Sequence, residues 1–275
     1  MDITIGFSTC PNDTFIFDAL INGRIDSKGL IFTPILADVE ELNSRAKEGQ
    51  LDVTKLSYHA YGHVADKYKV LDAGSALGWG NGPLVVSKRK IYPDEMDDVR
   101  IAIPGELTTA NFLMGIAFPG SIDKKAYLFS DIEEVVLSNE ADVGVLIHEN
   151  RFTYANRGLK LIMDLGEFWE QTTGMPIPLG GIVVSRQIPE EKQILIQELI
   201  HNSLVFAHEN PGSALQYMKS YAQDMRDEIM LQHVDTFVNE FSLSLGEDGK
   251  KAVCKLLEIG SKKGLFPVPG DDVFV

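Results

Sequence analysis

The stretch Ile3-Thr4-Ile5-Gly6-Phe7-Ser8-Thr9-Cys10-Pro11-Asn12-Asp13-Thr14-Phe15-Ile16-Phe17-Asp18-Ala19-Leu20-Ile21 decides the class of fold. Ile3, Ile5 and Phe7 alternate with smaller or polar residues, the period of a strand that buries one face. Pro11-Asn12-Asp13 ends the alternation, and the apolar run that follows reads as a helix. The unit then recurs. Residues 31–36 read as a strand, Asp38 can cap a helix carrying Val39, Leu42 and Ala46, and residues 51–56 form a further strand that ends at Ser57-Tyr58. Strands alternating with helices predict an α/β fold with crossover connections.

Gly74, Gly78, Gly80 and Gly82 cluster next, interleaved with Trp79 and Asn81, and read as a loop feeding Leu84-Val85-Val86. A second α/β set follows: strands over 100–103, 126–129 and 143–147, with helices from 108 and over 132–137. Residues 82–88 and 180–186 echo one another as Gly-Pro-Leu-Val-Val-Ser-Lys and Gly-Gly-Ile-Val-Val-Ser-Arg, and they bracket that second set. Such a pair suits two crossings between domains. Beyond Pro189 the apolar residues fall at helical spacing, as in Ile194-Leu195, Leu199-Ile200, Leu204-Val205 and Leu256-Leu257. The expected organisation is a discontinuous first domain, residues 1–87 plus 184–275, with a second domain, 88–183, inserted in it.

Composition narrows the function. The 275 residues carry 40 acids against 25 bases, a formal charge of −15, with no basic tract to offset it. Such a field repels phosphate backbones and anionic lipid, so neither nucleic acid nor a membrane is expected as a partner, and a small molecule is. The N-terminal residues lack the basic segment and apolar run of a secretory signal, which predicts a cytoplasmic protein. Cys10 and Cys254 lie far apart and without paired spacing, so neither a disulfide framework nor a metal knuckle is expected, and Cys254 is assigned to the core.

In α/β sheets the residues just after each strand face the ligand crevice, so these are the candidate site. Ser8 to Thr14, with Asn12, precedes a helix whose free N–H groups suit an anion, although a simple cap explains it too. Lys55-Leu56-Ser57 puts an ammonium and a hydroxyl two residues apart on one face of a strand end. The glycine-rich loop around Asn81 could bring backbone N–H groups close to a ligand oxygen, but it matches no dinucleotide or P-loop spacing. Thr108-Thr109-Ala110 opens a helix and suits a carboxylate. Finally, the strand at 143–147 delivers a lone histidine, His148, beside Glu149 and Arg151. His59 and His63 share one helix face without the further ligand a metal would need, and His201, His208 and His233 sit among ordinary polar positions. His148 is therefore the candidate general base.

Five blocks carry a resemblance to a known family: Ser8 to Phe17, Thr54 to Tyr58, Gly82 to Val86, Thr108 to Ala110 and Ile147 to Tyr154. Further matches run through Asp164-Leu165-Gly166, 173–180 and Val238 to Ser242 to Leu265-Phe266-Pro267, in order along nearly the whole chain. The sequence resembles the 1,4-dihydroxy-6-naphthoate synthases of the futalosine route to menaquinone. The resemblance implies a two-domain, type II periplasmic-binding-protein-like α/β fold, with a ligand cleft between the domains and two hinge strands. It implies a lyase that splits cyclic dehypoxanthine futalosine into 1,4-dihydroxy-6-naphthoate and dihydroxyacetone, with no metal or organic cofactor, acting as a monomer or homodimer. Carried over by position, His148 matches the proton acceptor, and Lys55, Leu56, Ser57, Thr109 and Ala110 match substrate-binding positions. Thr108, Asn12, Asn81 and Arg151 are further candidates for substrate contact. Two alternatives stay open: the chorismate dehydratase of the same route, and a protein that binds a small carboxylate without catalysis.

Overall fold

The computed structural model describes residues 1–222 and 226–275. It divides into two compact units, 1–78 with 178–275, and 79–177. The first unit is discontinuous in sequence, and the breaks fall after Gly78 and after Ile177.

In the first unit, β1 (Asp2–Phe7) leads into α1 (Pro11–Ile21), whose N1 proline is preset for a helix start. β2 (Ile31–Leu36) then leads to α2 (Val39–Lys47), where Asp38 accepts from Glu40 and Glu41 backbone N–H groups. β3 (Val53–Ser57) runs directly into α3 (Tyr58–Val64), and the short β4 (Tyr68–Val70) and β5 (Ala76–Gly78) complete the N-terminal part.

The second unit contains β6 (Leu84–Ser87), β7 (Ile101–Ile103), α4 (Thr109–Ala117), β8 (Lys124–Ala126) and α5 (Ile132–Leu137). It continues through β9 (Val143–Leu146), α6 (Asn150–Thr153), β10 (Lys160–Asp164) and α7 (Leu165–Thr173). Its sheet has the order β10-β6-β9-β7-β8. In this order β6 is hydrogen-bonded to β9 on one side and β10 on the other, so it is an interior strand of the second unit. Leu84, Val86, Ala102, Ile132, Val136, Leu146 and Leu159 form this unit's core.

β11 (Ile177–Ser185) returns the chain to the first unit, followed by α8 (Glu190–Glu209), α9 (Leu215–Lys219), α10 (Asp227–Phe237), α11 (Glu240–Leu243) and α12 (Gly246–Lys262). The sheet order here is β2-β1-β3-β11-β4, with β5 also on β11. β1, β2 and β3 are parallel, whereas β11 enters antiparallel between β3 and β4. Ile3, Ile5 and Phe7, the alternating residues of the opening stretch, are fully buried against Phe15, Phe17, Leu199, Ile200 and Leu204. By area bookkeeping each such side chain contributes about 1.5–3 kcal/mol on leaving water, which is why this alternation governs the fold.

Two details depart from expectation. The strand expected over 126–129 is instead Lys124–Ala126, paired with β7 at the sheet's edge. Cys254 is exposed rather than part of the core.

Candidate functional site

In the first unit, β1 and β3 are parallel neighbours, so their carboxyl ends open at the same edge and bring Ser8 to Asp13 beside Lys55. Lys55 is buried, which requires compensation for its ammonium. Its Nζ lies 3.2 Å from Asp13 Oδ1 and donates to the Gly74 carbonyl at 3.0 Å. Asp13 is crowded with donors: Oδ2 accepts from the Ser8 N–H at 3.1 Å and the Ser8 Oγ at 2.7 Å, and Oδ1 accepts from Asn12 Nδ2 at 2.9 Å. Gly74 holds its carbonyl in place through a left-handed backbone, φ 89°, and a Cβ there would lie 2.0 Å from Ile182 Cδ1. Ser57 is fixed from α2, with Asn43 Oδ1 accepting its N–H at 2.9 Å and Asn43 Nδ2 donating to its Oγ at 3.3 Å.

In the second unit, β7 and β9 are parallel neighbours, so Thr108 to Ala110 and His148 leave the same sheet edge. Thr108 caps α4, accepting from the Asn111 N–H at 3.2 Å while donating to the Gly105 carbonyl at 2.8 Å. Thr109 and Ala110 fill the first turn of α4 and are buried. His148 has φ 57°, a left-handed conformation rare for a residue with a side chain, and its ring lies 4.7 Å from that of Phe129. The chain thereby turns sharply out of β9, and the imidazole packs at a tilt of 57° against the Phe129 ring.

The loop carrying Asn81, itself buried, is tied down within this unit. Arg151 donates to the Gly82 carbonyl, to the Gly80 carbonyl at 2.9 Å, and pairs with Asp164 at 3.5 Å. Asp164 in turn caps α7 through the Gly166 and Glu167 N–H groups. A Cβ on Gly82 would meet the Gly166 backbone at 2.3 Å, so the two segments touch through glycine. Arg151 thus has an architectural task that its sequence position did not suggest. Among the described residues, neither unit taken by itself gathers three metal-ligand side chains at ligand spacing.

One residue was passed over in the sequence. His233, on α10, is fully buried and its Nε2 lies 2.9 Å from Asn12 Oδ1. The two are 221 positions apart, so no local pattern could pair them. His59 and His63 stack edge to face on α3 near Phe266, a packing role, and burial lowers the His63 pKa, with Lys47 adding to the effect.

Comparison with known proteins gives this geometry a context. A family model described as menaquinone biosynthesis matches residues 3–262. The chain is 43% identical over 99% of both sequences to a 1,4-dihydroxy-6-naphthoate synthase of Thermus thermophilus. It is 37% identical to one of Streptomyces coelicolor, over 98% of this chain and 96% of that one. Among solved structures, a protein of Archaeoglobus fulgidus superposes with a TM-score of 0.91 at 35% identity, covering 96% of this chain and 98% of that one. A ligand-binding component of an ABC-type import system from Staphylococcus aureus, solved with zinc bound, superposes at 0.73 with 11% identity, over 100% of this chain and 96% of that one. That likeness shows the fold alone, and the fold is the periplasmic-binding-protein-like one expected from the sequence. With one model spanning residues 3–262 and two relatives matched nearly end to end, the chain belongs to the menaquinone-biosynthesis family.

Proposed function

We propose that this chain converts cyclic dehypoxanthine futalosine into 1,4-dihydroxy-6-naphthoate and dihydroxyacetone, as a cytoplasmic carbon–carbon lyase in menaquinone biosynthesis. The naming of both relatives as synthases of this naphthoate supports the reaction. The observation that carries the catalytic assignment is His148 at the end of β9, held in a left-handed turn against Phe129. Strained backbone of this kind clusters where a side chain must be aimed.

His148 removes a proton from a substrate hydroxyl. The electron pair left on oxygen forms a carbonyl and breaks the adjacent carbon–carbon bond in a retro-aldol sense. The electrons that leave that bond enter the ring system, which becomes aromatic on enolisation, and the proton held by His148 returns to the products. The substrate carboxylate is taken by the start of α4, where Thr109 and Ala110 present the first N–H groups behind the Thr108 cap. Lys55, Leu56 and Ser57 are substrate-binding residues of the first unit, with the Lys55 ammonium set by Asp13 and Gly74.

The test is to incubate the purified protein with cyclic dehypoxanthine futalosine and to follow 1,4-dihydroxy-6-naphthoate by mass-resolved chromatography, with chorismate run in parallel. Naphthoate formation supports the lyase. Consumption of chorismate instead would move the chain to the dehydratase, and tight binding without turnover would make it a carboxylate-binding protein.

A further inference from the structure

We propose that His233 is a positioning residue for the Lys55 ammonium, acting through Asn12 and Asp13 from helix α10. The inference rests on Lys55 as a substrate-binding residue.

Which atoms can donate decides the orientation of each group in the chain. A carboxylate only accepts, so the Asn12 atom 2.9 Å from Asp13 Oδ1 must be the NH2 group. That fixes the amide's orientation, and its carbonyl oxygen is then the atom 2.9 Å from His233 Nε2. A carbonyl oxygen only accepts, so His233 carries hydrogen on Nε2. Were Nε2 a lone pair, Asn12 would be driven to flip, and its oxygen would then face the Asp13 carboxylate. The protonated nitrogen on α10 therefore selects the amide orientation on α1, and that orientation supplies one of the four donors gathered on Asp13. His233, Asn12, Asp13 and Lys55 are all buried, so water is a poor substitute for any link.

The second acceptor of Lys55 is held from the neighbouring helix. The Gly74 N–H donates to the Ser242 carbonyl at 2.7 Å, and Ser242 Oγ donates to the Ser75 carbonyl at 2.7 Å. Both contacts of the ammonium are thus set from the α10–α11 segment, one through His233 and one through Ser242. An ammonium has three hydrogens, and Asp13 with Gly74 takes two. The third hydrogen is the one whose direction the network sets for a substrate oxygen.

The test compares His233→Phe, which removes the donor, with His233→Gln, whose amide NH2 can replace it. In His233→Phe, KM should rise roughly 3- to 10-fold, the range of one neutral hydrogen bond, with kcat changed less than about twofold. His233→Gln should recover most of that loss. A fall in kcat alone, or equal losses in both variants at unchanged melting temperature, would overturn the proposal. Nuclear magnetic resonance supplies a readout that needs no substrate. The wild-type His233 ring should show hydrogen on Nε2, and the Lys55 side-chain ammonium signal should shift in His233→Phe and return in His233→Gln. A ring protonated only on Nδ1, or a Lys55 signal indifferent to both variants, would also overturn it, in an intact protein and whatever the substrate proves to be. Lys55→Met separates the two ideas: an unchanged KM there removes Lys55 from substrate binding, while the resonance result still decides whether His233 positions it.

Discussion

Replacing Asp13 by asparagine should destabilise the protein by about 3 kcal/mol, the lower end of the range for breaking a buried ion pair on one side. The structure gives the reason atom by atom. Asp13 Oδ2 serves Ser8 N and Oγ, and Oδ1 serves Asn12 Nδ2 and Lys55 Nζ. An amide has one oxygen. If it faces Ser8, the new NH2 group points at the Asn12 NH2 and the Lys55 ammonium; if it faces Lys55, the NH2 opposes the Ser8 N–H, while the Ser8 hydroxyl can turn to accept from it. Either orientation leaves at least one buried donor against a donor, at about 1–3 kcal/mol for each group left unsatisfied and more where one is charged, and the asparagine no longer balances the Lys55 charge. For a chain of this size the melting temperature should fall about 6–12 °C, taking roughly 2–4 °C per kcal/mol. Thermal unfolding followed by circular dichroism measures it, together with Lys55→Met and the double variant. The double variant should be at least about 2 kcal/mol better than the sum of the single losses, because it removes the orphaned charge. Additive losses, or a single Asp13→Asn variant melting within about 2 °C of the parent, would mean that the carboxylate does not hold the buried Lys55 charge.

His148→Ala should lose about 10²- to 10⁴-fold in turnover while its melting temperature stays within a few degrees of the parent, measured by steady-state naphthoate formation and calorimetry. Gly82→Ala should destabilise the second unit by about 1–3 kcal/mol, since its Cβ would fall 2.3 Å from the Gly166 backbone; a lowered urea midpoint is the readout. Hydrogen bonds from Lys262 and then Lys255 hold the Glu258 carboxyl down to about 2, so carbon resonance titration should place its midpoint there and Lys262→Gln should raise it. Because the folded value is depressed, the small stabilisation from Glu258 is present above the ordinary carboxylate range and is lost as pH falls toward about 2.

How much of this was legible in the sequence follows from the range of the interactions involved. Ile3, Ile5 and Phe7 are buried by a local alternation, so the opening strand and the α/β class could be read directly. Thr108 and Asp38 cap helices through bonds to residues two or three positions ahead, which a short window also captures. Which sheet each of the two echoing segments joins is not a local matter. Residues 82–88 and 180–186 look equivalent, and only their partners, β9 and β10 for one and β3 and β4 for the other, assign them to different sheets. β8 was misplaced because Lys124-Lys125-Ala126 lacks an apolar face and is a strand by virtue of its pairing with β7. In the candidate site, His148 could be read from the apolar strand that delivers it. Neither His233 nor the loop-holding task of Arg151 could be, because their partners are Asn12, Gly80 and Gly82, remote in sequence and reached only through the fold.

The antiparallel insertion of β11 between β3 and β4 sets an order of events for a chain emerging from a ribosome. The first 78 residues are synthesised early, yet a strand in the middle of their sheet and the helices that cover it come only from residue 177 onward. Residues 79–177, contiguous and with their own sheet, have every strand they need as soon as they are complete. The later part of the protein's middle can therefore fold first while its beginning waits, holding an unfinished edge on β3 that is open to pairing with other chains. Lys55 spends that interval without His233 or Ser242 in the vicinity, so the polar network around it is among the last features to close.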